Sequence, residues 1–152
     1  MEMPKPTDAH KKLEQLVGTW AGDDKVFASQ WSTESLKPTV CDVRSALDGF
    51  FLLMEYAEHT DGKVTYGGHG VIGYDAKNSC YTMHWFDNWG TPPSNVGRGQ
   101  WVGDTLTFDW QYPDHKSRVT YTLDGGELIQ RVEMDMDGKG FKPVIEGKYK
   151  KA

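Results

Sequence analysis

Two acidic side chains, Glu55 and Asp87, are the strongest candidates for chemistry in this sequence of 152 residues. Each lies in a segment of strand length, on the side that we expect to face the protein interior. A buried carboxylate is costly unless it has a partner, a raised pKa or water beside it. The two could hold a ligand amine or amide by hydrogen bonds, or act as an acid and a base. We expect them at least two strand spacings apart, on the order of 10 Å, which suits opposite ends of one ligand.

The elements that must position these carboxylates are β-strands. Aromatic residues make up 12% of the chain, which favours strands because flat rings pack well on a pleated surface. From Gly18 onward, turn residues separate about ten segments of strand length. One short helix precedes them, since Thr7 or Asp8 can cap the segment from Ala9 to Leu16. The sequence therefore predicts an all-β fold, a closed antiparallel up-and-down barrel with a short N-terminal helix.

Hairpin turns predict which side chains share a face, because residues paired across a hairpin point to the same side of the sheet. The turn Gly103-Asp104 and the turn at Gly125-Gly126 each join an apolar face to a polar one. We expect the apolar face inside and Arg131 in water. The inward set of these hairpins is Trp101, Leu106, Phe108, Trp110, Val119, Tyr121, Leu123, Leu128, Gln130, Val132 and Met134.

The turn Asp61-Gly62 assigns faces to the hairpin that carries Glu55. It predicts that Glu58 and His69 point outward. The set that it places inside is Phe51, Leu53, Glu55, Ala57, Val64, Tyr66, Gly68, Gly70, Ile72 and Tyr74.

The connection after this hairpin leaves two registers open. A four-residue loop at Asp75–Asn78 puts Trp85 and Asp87 inside, and this register is favoured because glycines then face large side chains. A five-residue loop would instead put His84 and Phe86 inside.

These faces predict a cavity that is mostly apolar and aromatic with a few polar groups, the usual composition of a small-ligand site. The alternative is a small barrel enzyme, an isomerase or hydrolase, that uses Glu55 and Asp87 or His84 as acid and base. For any single tryptophan, a packing role in the core is the more common outcome. The candidate ligand-binding residues are Glu55, Tyr66, Trp85, Asp87, Trp101, Trp110, Tyr121 and Gln130.

Other features limit the classes of function. The five histidines lack the spacing of metal ligands, and we expect no metal or cofactor. A net charge of -5 with scattered basic residues argues against nucleic-acid binding. No apolar run is long enough to cross a bilayer, and the N-terminus lacks the apolar core of a signal peptide. We therefore expect a soluble cytoplasmic protein in which Cys41 and Cys80 are reduced thiols.

The expected organisation is a single domain over residues 1–152, with residues 1–7 flexible. The expected partner is a small apolar or amphipathic molecule, and a homodimer is left open.

Several segments carry a family resemblance: Leu16-Val17-Gly18-Thr19-Trp20, Arg44 to Phe51, Gly70 to Asp75, Trp85 to Asp87 and a closing strand at Tyr149. In that order they resemble a family of small bacterial proteins of unknown function, assigned to the lipocalin-like (calycin-type) barrels. The resemblance implies a barrel of about ten strands, a packing role for Trp20 at its closed end and no established activity. A related group of barrels binds haem through a histidine on the last strand. The matching segment, 144–149, has no histidine, which argues against haem held in that way.

Overall fold

A short helix and ten antiparallel strands make up the described part of the chain, residues 1–30 and 32–152 of a computed structural model. The helix α1 spans Asp8–Lys12 and continues as a 3₁₀ turn over Leu13–Leu16. A second 3₁₀ turn, Leu47–Gly49, lies between the second and third strands. The strands are β1 (Gly18–Val26), β2 (Ser35–Ala46), β3 (Phe51–Thr60), β4 (Lys63–Asp75), β5 (Cys80–Asp87), β6 (Gly97–Val102), β7 (Thr105–Gln111), β8 (Lys116–Asp124), β9 (Glu127–Asp135) and β10 (Lys142–Lys151).

The strands form a closed barrel in which each pairs with its neighbours in sequence and β1 pairs with β10. This confirms the predicted up-and-down barrel. Closure gives each strand two neighbours, and the alternation of side chains along each strand fills the interior with apolar residues. Members of that core include Leu52, Met54, Ile72, Leu106 and Phe108, each at most 2% exposed.

The N-terminal helix closes one end of the barrel. Thr7 is its N-cap, and the Thr7 backbone N–H donates to Nδ1 of His10 at 3.0 Å. Leu13 and Leu16 are buried in the core. The Trp20 indole N–H donates to the Leu16 carbonyl at 2.9 Å, which ties the first strand to the helix. None of the helices in the described residues is long and apolar enough to span a membrane.

Two hairpins have the predicted registers. Trp101 pairs with Leu106, and Tyr121 pairs with Gln130. Arg131 points outward as expected, and its guanidinium donates to the Glu146 carboxylate at 3.2 Å.

The β3–β4 hairpin corrects the prediction for the face of β3. Next to the turn His59 pairs with Val64, but the following pair is Glu58 with Tyr66, so Thr65 is an extra residue in β4. A bulge of this kind reverses the face of one strand relative to the other. The prediction that Phe51, Leu53, Glu55 and Ala57 point inward was therefore wrong, and so was the prediction that Glu58 points outward. Val64, beside the turn, was also expected inside but is 55% exposed. The inward residues of β3 are Leu52, Met54, Tyr56 and Glu58, all buried.

The β4–β5 connection is a four-residue loop, displaced by one residue from the predicted position. Asp75 pairs with Cys80, so the loop spans residues 76–79. The pairing shifts by two residues, and an even shift leaves the faces unchanged. Trp85 and Asp87 face the interior, whereas the alternative register is wrong because His84 and Phe86 are exposed.

Candidate functional site

The barrel encloses a cavity of about 640 Å³ at the end away from the helix. Its wall is built by the C-terminal ends of β3, β5, β7 and β9 and by the N-terminal ends of β4, β8 and β10. The loop from Trp89 to Asn95 lies at its mouth. Most of the wall is apolar or aromatic, and it includes Tyr66, Met83, Trp85, Trp110, Tyr112, Val119 and Val132.

A short seam in the sheet borders this cavity. In the described chain, β5 pairs with β6 only between Tyr81–Met83 and Gly97–Gly99. The end of β5, residues 84–87, pairs with β4 alone. The mouth loop leaves from this point, so the barrel opens where Trp85 and Asp87 stand.

Asp87 is held in place by a chain of hydrogen bonds. The Trp85 indole N–H donates to the Tyr66 hydroxyl at 3.1 Å, and that hydroxyl donates to Oδ2 of Asp87 at 2.9 Å. The backbone N–H of Trp89 donates to Oδ1 of Asp87 at 3.2 Å. Burial raises the pKa of the Tyr66 phenol, so this hydroxyl stays a donor at neutral pH. The chain fixes one carboxylate and two rings of the cavity wall.

A second carboxylate, Asp24, lies behind the wall and is fully buried. It accepts hydrogen bonds from the hydroxyls of Tyr56 and Tyr149. Burial is the main cause that raises the pKa of both phenols, so both remain neutral donors. Gly147 is required here, because an added Cβ would overlap Asp24 and the Tyr149 hydroxyl.

Glu58 carries the third carboxyl of this end, and it lines the cavity itself. It is 5% exposed, and its Oε2 has no hydrogen-bond partner in the described chain. Burial, reinforced by a hydrogen bond to Asp24 and then by the charge of Asp24, raises the pKa of Glu58 to about 8. Buried polar atoms are rarely left unpaired in folded proteins, so this oxygen marks a place for water or a ligand.

Trp85 owes its position to a glycine. The indole ring packs closely against Gly68, where an added Cβ would overlap the ring. The predicted contact between this glycine and this tryptophan is therefore present, although Gly68 pairs with Asp87 in the sheet.

Comparison with known proteins adds a family and a fold. The family model described as "Protein of unknown function (DUF1579)" matches residues 5–151. The chain belongs to this family. No functionally curated protein shows significant sequence similarity to it.

Two solved structures share the fold of this DUF1579 chain. One is the crystal structure of Rv2717c from M. tuberculosis, with a TM-score of 0.74 and 17% identity, covering 96% of this chain and 98% of that one. The other is the crystal structure of a point mutant of the fluorescent protein UnaG, with a TM-score of 0.57 and 15% identity, covering 92% and 98%. At these identities the likeness concerns the barrel alone.

Most of the residues predicted to bind a ligand line the cavity of the DUF1579 chain: Tyr66, Trp85, Asp87, Trp110, Tyr121 and Gln130. Their role as ligand contacts stays a prediction. Trp101 faces inward but lies at the end of the barrel that the helix closes, where the Lys12 ammonium lies 5.4 Å from its ring centre. It therefore does not line this cavity.

Two predicted residues lie on the outside of the barrel. Glu55 has a side chain that is 60% exposed and hydrogen-bonds His69 on the outer face of the sheet. His84 is exposed as well. The bulge in β4 explains the error for Glu55. His84 was expected inside only in the alternative register, and the favoured register, which leaves it outside, has the correct faces. An acid–base pair of Glu55 with Asp87 is therefore not assembled, and His84 cannot reach the cavity.

Sequence reasoning missed Asp24, Tyr56, Glu58 and Tyr149. Alternation along β1 could have found Asp24, because Trp20 was expected inside and the residue four positions later shares its face. Nothing in the local pattern of β3 separates Glu55 from Glu58, since both faces of that strand carry large apolar residues.

Proposed function

We propose that this protein binds a small, mostly apolar molecule in the barrel cavity. The observation that carries the proposal is the cavity of about 640 Å³ in a barrel whose other end is packed with side chains. Small-molecule pockets typically have volumes of about 300–1,000 Å³ and mostly apolar walls with a few placed polar groups. A barrel that was simply packed full would have no such space.

The composition of the wall supports binding of a flat or extended apolar body. Trp85, Trp110 and Tyr66 offer ring faces or edges, and Val119 and Val132 offer aliphatic surface. The polar groups are few, and hydrogen bonds hold Asp87 and Tyr66 in one arrangement. Groups fixed before the ligand arrives reduce the entropy lost on binding.

Binding is favoured over catalysis because the residues expected for acid–base chemistry are divided between the two faces of the sheet. Glu55 and His84 are exposed, so Asp87 is the one member of that set within the cavity.

A titration with a neutral apolar probe, N-phenyl-1-naphthylamine, tests the proposal. We expect saturable binding at one site, with enhanced probe emission and quenching of tryptophan fluorescence. Val119→Trp should abolish this binding, because the new ring would occupy the cavity. Thr120→Trp is the matched control on the outer face of β8 and should bind the probe normally.

Native mass spectrometry of the gently purified protein provides an independent readout. We expect a bound small molecule that Val119→Trp loses and Thr120→Trp keeps. If the probe binds a folded Val119→Trp variant as tightly as the wild type, the cavity is not the binding site and the proposal fails.

A further inference from the structure

The carboxyl groups of the cavity wall are not balanced by ammonium or guanidinium groups in the described part of the chain. Glu58 and Asp87 line it, and among the described lining residues none is Lys or Arg. The imidazole in the wall belongs to His115, whose Nδ1 is 2.7 Å from a carboxylate oxygen of Asp114. A pocket for an anion such as a fatty acid would need a cation or an array of donors aimed inward. The described residues of this wall supply no such cation, and two carboxyl groups line it.

One oxygen of the Glu58 carboxyl lacks a donor. Its Oε2 is buried without a hydrogen-bond partner among the described residues, and its side chain belongs to the cavity wall. Its neighbour Asp24 already accepts hydrogen bonds from two phenols. A buried acceptor in this state costs free energy until a donor reaches it.

The ionisable groups around Glu58 come from five strands. A positive charge does face it, on Lys37, but that ammonium donates to the Thr60 hydroxyl at 2.7 Å and does not line the cavity. The others are acidic or phenolic: Asp24 on β1, Tyr56 on β3, Tyr66 on β4 and, bonded to Asp24, Tyr149 on β10.

Aromatic rings stand beside this acceptor. The Tyr56 ring lies 6.0 Å from that of Tyr66 and 6.1 Å from that of Trp85, in edge-to-face arrangements. Ring faces attract cations, and the attraction grows when water is excluded. The buried, unpartnered oxygen of Glu58 among these rings can accept a hydrogen bond from a protonated amine, and above about pH 8 it does so as a carboxylate.

We propose that the cavity selects a molecule with a cationic nitrogen on an apolar body. The N–H groups of this molecule donate to Glu58, while its body packs against the aromatic wall. The cavity discriminates against carboxylates such as fatty acids. This inference rests on the proposed function, because it names the ligand class of the same cavity.

A matched set of fluorescent probes tests the choice of charge. Dansylcadaverine and dansyl-6-aminohexanoate share a fluorophore and a five-carbon chain but end in an ammonium and a carboxylate, respectively. Dansyl pentylamide is the neutral member of the set. Titrations at pH 8.5 keep the alkylammonium charged, and dansyl emission together with energy transfer from tryptophan reports binding.

We expect dansylcadaverine to bind with a Kd at least tenfold lower than that of the carboxylate probe. Glu58→Gln should raise the dansylcadaverine Kd about tenfold, because a charge-assisted bond becomes a neutral one. Glu55→Gln is the matched control, three residues away on the outer face of the same strand, and should change neither Kd by more than about twofold.

The outcomes separate the two proposals. If the neutral probe binds but the carboxylate probe binds wild type as tightly as the amine, the ligand class is wrong and cavity binding stands. An equal effect of Glu58→Gln and Glu55→Gln on the amine Kd would also overturn the ligand class. If none of the three probes binds the folded protein, the proposed function fails and this inference fails with it.

Discussion

Replacing the buried carboxyl of Glu58 by an amide should change how the stability of the barrel depends on pH. The folded state raises the pKa of this group from 4.5 to about 8. Between these values the folded protein holds a proton that the unfolded chain has released. The free energy of unfolding therefore falls as the pH rises from about 4.5 to 8 and then levels off.

The magnitude follows from the shift. Each pH unit between 4.5 and about 8 is worth at most about 1.4 kcal/mol, which gives an upper limit of about 5 kcal/mol. Solvent in the open cavity screens the charge, which reduces the expected change in the free energy of unfolding to about 2 kcal/mol. For a domain of about 150 residues, that corresponds to about 4–8 °C in Tm.

Urea unfolding at pH 5, 7 and 9, followed by tryptophan fluorescence, measures this effect. We expect Glu58→Gln to be close to wild type at pH 5 and about 2 kcal/mol more stable at pH 9. Glu55→Gln should track the wild type at every pH, because its side chain is mostly exposed. A constant difference between Glu58→Gln and wild type from pH 5 to 9 would falsify the premise that this carboxyl is poorly solvated.

Two further predictions concern packing and thiol reactivity. Gly99→Ala should cost more than about 3 kcal/mol or prevent folding, because its Cβ would overlap a backbone carbonyl of β7 and lie 2.6 Å from the carbonyl carbon. Gly103→Ala lies in an open turn with φ of +58° and should cost only about 1 kcal/mol. Urea denaturation of the two variants distinguishes these costs. Burial raises the pKa of Cys41 to about 12, so this thiol should react with Ellman's reagent at pH 8 only after unfolding. The half-buried Cys80 should react in the native state. Equal reaction rates of the two thiols in the folded protein would contradict this prediction.

The fold was predictable from the sequence because its main signals are local. The turns at Gly103-Asp104 and Gly125-Gly126 each fix a hairpin, and alternation then fixes the faces of four strands. The β3–β4 hairpin defeated the same reasoning. Thr65 is an ordinary strand residue, and nothing in its type reveals that it is an extra residue in β4. The bulge depends on how the two strands twist against their neighbours, which a local pattern does not contain.

The candidate site was predictable to the same extent. Residues whose faces depend on an unbulged hairpin, such as Trp110 and Gln130, line the cavity as expected. The carboxylate was placed three residues too early on β3, because one bulge exchanges Glu55 for Glu58. The pairing of Asp24 with Tyr149 joins the first and last strands. Such a contact arises from closure of the barrel and has no signature in either segment alone.

The short seam between β5 and β6 gives this barrel a site of local opening. Because Trp85 and Asp87 pair with β4 alone, separating β5 from β6 disrupts few hydrogen bonds. The pairing of β2, β3 and β4 stays intact. We expect the amide protons along this seam to exchange with solvent through sub-global openings, well before those of β3. The barrel wall then widens at the mouth without unfolding, and a molecule broader than the resting entrance has a route into the cavity.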